Sequence, residues 1–99
     1  MAQTIQQLSA HEIEAGLASL SGWALDGTKL YREFKFADFS RAFGFMASIA
    51  IVAEGMNHHP EWFNVYATVK VWLTTHDAKG ISARDLALAR VMNELYQKV

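Results

Sequence analysis

Residues 62–74, Trp-Phe-Asn-Val-Tyr-Ala-Thr-Val-Lys-Val-Trp-Leu-Thr, decide the architecture of this 99-residue chain. Phe63, Val65, Ala67, Val69, Val71 and Leu73 hold the odd positions, and Trp62, Asn64, Tyr66, Thr68, Lys70, Trp72 and Thr74 the even ones. Side chains alternate faces along a strand, so this period of two predicts β structure. The unbroken phase favours one long strand. The length favours two strands and a tight connection, because strands usually run about 3–10 residues. Periodicity leaves both readings open.

Before this run the pattern is helical. From Asp38, Phe39, Phe43, Met46 and Ala50 form one apolar stripe, and Phe45, Ile49, Val52 and Met56 form a second. A helix apolar on two sides must bury both. One side is expected to cover a sheet; the other is either deep core or, favoured in so small a chain, a subunit interface. Pro60 disfavours helical geometry at His59, so this helix is expected to stop near Asn57. Nearer the start, Trp23–Leu25 and Leu30–Phe36 flank Asp26-Gly27-Thr28-Lys29, a hairpin signal. Ser9 with Glu12 forms a capping box, Leu8 and Ile13 a hydrophobic staple, and Ile13, Leu17 and Leu20 a helical face ended by Ser21-Gly22. His11, in that helix's first turn, reads as a solvated residue. After Thr75 comes a loop, and Ser82 with Asp85 forms a second capping box. It opens a helix with the stripe Leu88, Val91, Met92, Leu95 and Val99. The order implies an α+β layer arrangement, with helices on one face of an antiparallel sheet, in one domain spanning residues 1–99.

Composition narrows the function. Net charge is −1 with histidine neutral, which provides no basic field for a nucleic-acid backbone. There is no cysteine, hence no disulfide, thiol chemistry or thiolate zinc site. No apolar run approaches the roughly 20 residues of a membrane span, and residues 1–14 lack the pattern of a signal peptide. A soluble, cytoplasmic protein is expected.

Chemistry concentrates where the elements end. Two of the four histidines, His58 and His59, stand side by side before the only proline. His76 follows the strand region. If residues 62–74 fold back on themselves, the three imidazoles converge. Glu54 and His58, four apart, would share a face of a continuing helix. Imidazole titrates near neutrality, so such a cluster suits metal-free acid–base catalysis. Three imidazoles and a carboxylate could also hold zinc, although adjacent histidines project in different directions. A purely structural reading has His59 ordering the turn before Pro60. Trp62, on the even face with Tyr66 and Trp72, could stack on a flat heterocycle or be an ordinary strand residue. Asp85 could support the site or simply cap its helix.

Glu54-xxx-His58-His59-Pro60-Glu61-Trp62-Phe63-Asn64-Val65-Tyr66, then Thr74-Thr75-His76 and Gly80-Ile81-Ser82-Ala83-Arg84-Asp85, resembles the pterin-4a-carbinolamine dehydratase family, and flanking elements agree in order over nearly the whole chain. The resemblance implies an α-β-β-α-β-β-α order, with three helices on one face of a four-stranded antiparallel sheet. That favours two strands in residues 62–74. It implies loss of water from 4a-hydroxytetrahydrobiopterin to give quinonoid dihydropterin, recycling pterin for an aromatic amino acid hydroxylase, without metal or other cofactor. By the same resemblance, His58, His59 and His76 are the catalytic candidates, with His58 and His76 moving protons and His59 holding substrate. Glu54, Trp62 and Asp85 would border or support the pterin. Asn57 stands where some relatives carry an acid. A homodimer or homotetramer is implied, and the alternative activity is that of a protein-binding module, a dimerisation cofactor for a transcriptional regulator.

Overall fold

A computed structural model describes residues 5–99; the first four residues of the expected domain lie outside it. The chain forms α1 (Ala10–Leu17), β1 (Ala24–Asp26), β2 (Lys29–Lys35), α2 (Phe39–Met56), β3 (Glu61–Val65), β4 (Thr68–Leu73), a 3-10 turn at His76–Ala78 and α3 (Ala83–Tyr96). All strand pairs are antiparallel, in the order β1-β2-β4-β3. This is the expected α+β arrangement, and residues 62–74 are two strands.

The connection between them is only Tyr66 and Ala67, since Val65 pairs with Thr68. Two-residue hairpin turns require positive φ, which usually selects glycine or asparagine. Here Tyr66 takes φ 49° itself. The Asn64 amide braces the turn, donating to the carbonyls of Thr68 at 2.8 Å and Tyr66 at 3.2 Å. The turn also inverts the faces. Residues opposite one another in an antiparallel pair share a face, and Trp62 lies opposite Val71, Phe63 opposite Lys70. Trp62 and Asn64 therefore join Val69, Val71 and Leu73 beneath the helices. Phe63 and Val65 join Lys70 and Trp72 on the open side. The even-numbered Trp62, Tyr66 and Trp72 do not share a face, contrary to the parity expectation. On the open side Trp72 Nε1–H donates to Asp26 Oδ2 at 2.9 Å, and its ring centroid lies 4.9 Å from that of Tyr31.

The core is built around Phe34, buried against Trp23, Phe45 and Tyr96 at centroid separations of 4.9–5.9 Å. Each fully buried large apolar side chain contributes roughly 1.5–3 kcal/mol. Arg32 sits at the core edge, over the rings of Phe34 and Tyr96 and donating to Ser21 O and Asn93 Oδ1. Burial pushes its guanidinium below the ordinary value. At α1, a Cβ on Gly16 would come within 2.7 Å of Leu86, so this glycine lets α1 approach α3.

Asp38 caps α2, its Oδ1 accepting from Arg41 N–H at 2.8 Å. Ala42, Phe45, Ile49 and Ala53 face the core. The opposite side exposes Phe39, Phe43 and Ile51, with Phe43 56 % accessible. By length and hydropathy alone α2 could cross a membrane, but the face it packs on the sheet makes it a core helix of a layered domain.

Asn57 ends α2 in the left-handed region at φ 51°, ψ 43°. His58 N–H then reaches back to Ala53 O at 3.0 Å, the closing bond of a Schellman motif. This turn aims the His58 ring inward. An ordinary L-residue in that conformation costs roughly 1–2 kcal/mol, which asparagine partly escapes. Asn57→Ala is therefore expected to lower unfolding free energy by about 1 kcal/mol in urea titration, with Asn57→Gly close to the parent.

Candidate active site

His58 is 7 % exposed, and its Nε2 lies 2.6 Å from Asp85 Oδ1. Asp85 is fully buried at the third position of α3. Its Oδ2 accepts from Ser82 N–H at 2.8 Å, completing the capping box, and from the Thr75 hydroxyl at 2.7 Å. The Thr75 and Ser82 hydroxyl oxygens are 2.6 Å apart. A buried carboxylate without such partners would cost several kcal/mol. Among the described residues no buried side-chain nitrogen or oxygen lacks a hydrogen bond.

Glu54 does not share a helical face with His58. The helix stops at Met56, and the left-handed turn at Asn57 sends His58 inward and His59 outward. Glu54 Oε1 instead lies 2.7 Å from His59 Nε2, in an exposed pair.

His76 opens the 3-10 turn after β4, which is held by backbone pairing of Thr75 with Gly80. Its Nε2 is 3.8 Å from Glu61 Oε2, while the other Glu61 oxygen pairs with Lys29. Such an exposed pair adds little stability, about 0–1 kcal/mol, but it places a carboxylate beside the imidazole.

The hairpin fold of residues 62–74 brings the two ends of the run together. His58, His59 and His76 consequently line one cavity of about 380 Å³, with Asn57, Glu61 and Arg84 also on its wall. That volume falls within the range of small-molecule sites. Asp85 and Glu54 touch the wall histidines from behind and beside. Trp62 is not among the lining residues. Being opposite Val71, it packs on the core, as the reading of an ordinary strand residue has it. No group of three or more histidine, aspartate or glutamate side chains among the described residues is arranged to share a metal ion.

Sequence reasoning passed over Thr75, Ser82, Glu61 and Arg84 as site residues. All four stood within the quoted motif and Ser82 had an identified cap role, but nothing in their spacing marked a place on the cavity wall or behind it. The site can do acid–base chemistry. It offers three imidazoles in different settings: one buried against a carboxylate, one paired with an exposed carboxylate, one near the rim.

A family model for pterin 4 alpha carbinolamine dehydratase matches residues 6–95. A relative from Solibacter usitatus, provisionally named a pterin-4-alpha-carbinolamine dehydratase, is 54 % identical over 89 residues, covering 90 % of this chain and 94 % of its own. One from Novosphingobium aromaticivorans, named in the same provisional way, is 56 % identical over 91 residues, covering 90 % and 95 %. Among solved structures, the transcriptional coactivator/pterin dehydratase from Brucella melitensis superposes with a TM-score of 0.89 at 46 % identity, over 92 % of this chain and 99 % of that one. On the match across residues 6–95, and on relatives more than half identical over nine-tenths of its length, the chain belongs to the pterin 4 alpha carbinolamine dehydratase family, whose reaction makes them hydro-lyases.

Proposed function

We propose that the chain removes water from a 4a-hydroxytetrahydropterin by histidine acid–base catalysis, giving quinonoid dihydropterin. The observation that carries this reading is the meeting of His58, His59 and His76, from both ends of the β3–β4 hairpin, on one cavity wall. The chemistry balances without a redox partner. A protonated imidazole gives its proton to the C4a hydroxyl, and the C4a–O bond breaks with release of water. A neutral imidazole takes the N5 proton, and the N5 electron pair closes the N5=C4a double bond. His58 and His76 carry the two transfers in this scheme, and His59, held by Glu54, positions the substrate. The exposed His76 can exchange its proton with solvent and so reset the site after turnover. The reaction that supplies the substrate is an aromatic amino acid hydroxylation that leaves the pterin hydroxylated at C4a. Stopped-flow ultraviolet absorbance on freshly generated 4a-hydroxytetrahydropterin tests this reading. Decay well above the spontaneous rate is expected, and decay at the spontaneous rate would reject it.

The outer face of α2 supports assembly into a homo-oligomer. Phe39, Phe43 and Ile51 form an exposed apolar stripe on a rigid helix, a surface that water disfavours. Phe43→Asp is expected to shift the protein to monomer in light scattering coupled to gel filtration, with its circular dichroism unchanged, because the side chain makes no core contact.

A second reading has one specific support, the description of the Brucella structure as transcriptional coactivator as well as pterin dehydratase. Under it the same α2 face docks a regulatory protein, and pterin decay stays at the spontaneous rate.

A further inference from the structure

We infer that Thr75 is a positioning residue of this site: its hydroxyl holds the Asp85 carboxylate and thereby keeps the ring proton of neutral His58 on Nε2. The catalytic consequence rests on the proposed function, but the placement of the proton does not.

Counting hydrogens carries the inference. A carboxylate only accepts, and each hydroxyl has one hydrogen to give. Thr75 Oγ1 lies 2.7 Å from Asp85 Oδ2, so the Thr75 hydrogen goes there. The 2.6 Å contact between the two hydroxyls must then use the hydrogen of Ser82. Ser82 Oγ keeps lone pairs free and accepts from Arg84 N–H at 3.2 Å. Ser82 N–H fills the second place on Oδ2 at 2.8 Å. What remains is Oδ1, an acceptor 2.6 Å from His58 Nε2, and the only fitting arrangement places a hydrogen on that nitrogen. A histidine's tautomer is set by the bond its other nitrogen makes. Nδ1 of His58 is therefore the nitrogen left to exchange a proton.

The chain is sealed. Thr75 is 3 % exposed and Ser82 1 %, so a deleted hydroxyl leaves its partners with little access to water. Thr75 also adjoins His76, and its backbone pairs with Gly80 at both ends of the 3-10 turn. One residue thus ties the segment carrying His76 to the partner of His58. Without its hydroxyl, Oδ2 keeps one donor, the Ser82 hydrogen has no acceptor, and the carboxylate is free to rotate away from Nε2.

The test is Thr75→Val, isosteric and suited to the extended backbone at this position (φ −119°, ψ 108°), with Thr75→Ser as the variant that restores the hydroxyl. Imidazole 15N spectra of the intact protein are read first. The parent is expected to show neutral His58 protonated on Nε2, Thr75→Ser the same, and Thr75→Val a mixture of tautomers. Turnover is read second. Thr75→Val is expected to lose about 10- to 100-fold in kcat, the range for partners that orient a metal-bound imidazole, with KM little changed and the pH profile displaced. Thr75→Ser should recover most of it. A parent spectrum with the proton on Nδ1 overturns the inference, and this measurement needs no variant to fold. So does a Thr75→Val protein that loses thermal stability alone, with tautomer and pH profile as in the parent. The spectra require no turnover, so they decide the matter even if the parent accelerates no dehydration.

Discussion

Replacing either His58 or His76 by alanine is expected to slow dehydration of 4a-hydroxytetrahydropterin by about 10²- to 10⁴-fold in kcat/KM, the usual contribution of a positioned acid or base. The two losses should differ in their structural cost. Among the described residues the exposed His76 side chain makes only the 3.8 Å approach to Glu61, so His76→Ala should melt at the parent temperature. His58 is buried against Asp85, and its removal leaves a buried carboxylate oxygen without its partner. His58→Ala should therefore lose stability as well as rate. Stopped-flow absorbance gives the rates and differential scanning calorimetry the melting points. Parent rates in both variants would remove the imidazoles from the mechanism.

The second large effect is expected at Asp85. Three donors from β4's end, the α3 cap and the segment after α2 meet on this one carboxylate. Asp85→Ala strands all three where access to water is small. Breaking such a buried pair costs about 3–5 kcal/mol, a large share of the roughly 5–15 kcal/mol that holds a domain of this size folded. Melting should fall by well over ten degrees, since each kcal/mol moves Tm by about 4–8 °C in small domains. Asp85→Asn separates stability from chemistry. The amide oxygen can still accept from Ser82 N–H and Thr75. Its NH₂ then faces His58 Nε2 and forces that nitrogen to accept, which moves the ring proton to Nδ1. The variant should retain most of the fold and still lose about 10²-fold or more in kcat. Parent kcat in a folded Asp85→Asn protein would show that the His58–Asp85 pair is structural only.

Much of the fold was legible because local rules and packing agreed. Ser9–Glu12 and Ser82–Asp85 are capping boxes in the structure, Asp26-Gly27 makes the first hairpin, and Pro60 follows the end of α2 as expected. The stripe of Phe45 and Ile49 packs on the sheet, and that of Phe39 and Phe43 is left open. The second hairpin was not legible from residues 62–74 alone. Its turn uses Tyr66 where glycine or asparagine would announce the positive φ, and apolar residues occupy both faces of the sheet. An inverted phase then looks the same as a continuous one, and Trp62, Tyr66 and Trp72 were grouped on one face for that reason. The family resemblance, not periodicity, pointed to two strands.

The candidate site was legible as a set of residue types, and less so as a set of partners. The histidines were conspicuous because each is chemically unusual at its place. Which carboxylate serves which imidazole depended on one backbone angle at Asn57, and helix spacing pointed to the wrong pair. Ser82 announced a helix cap by its spacing from Asp85 but no place in the site, and Thr75 announced nothing, because hydroxyl side chains are common beside turns and caps.

A complex with an unreactive dihydropterin analogue decides whether these imidazoles act on the pterin. The bicycle is expected in the cavity between the hairpin ends, with ring nitrogens of His58 and His76 within hydrogen-bond reach of positions 4a and 5. An analogue seated elsewhere on the protein, or one that leaves those imidazoles beyond reach of both positions, would contradict it.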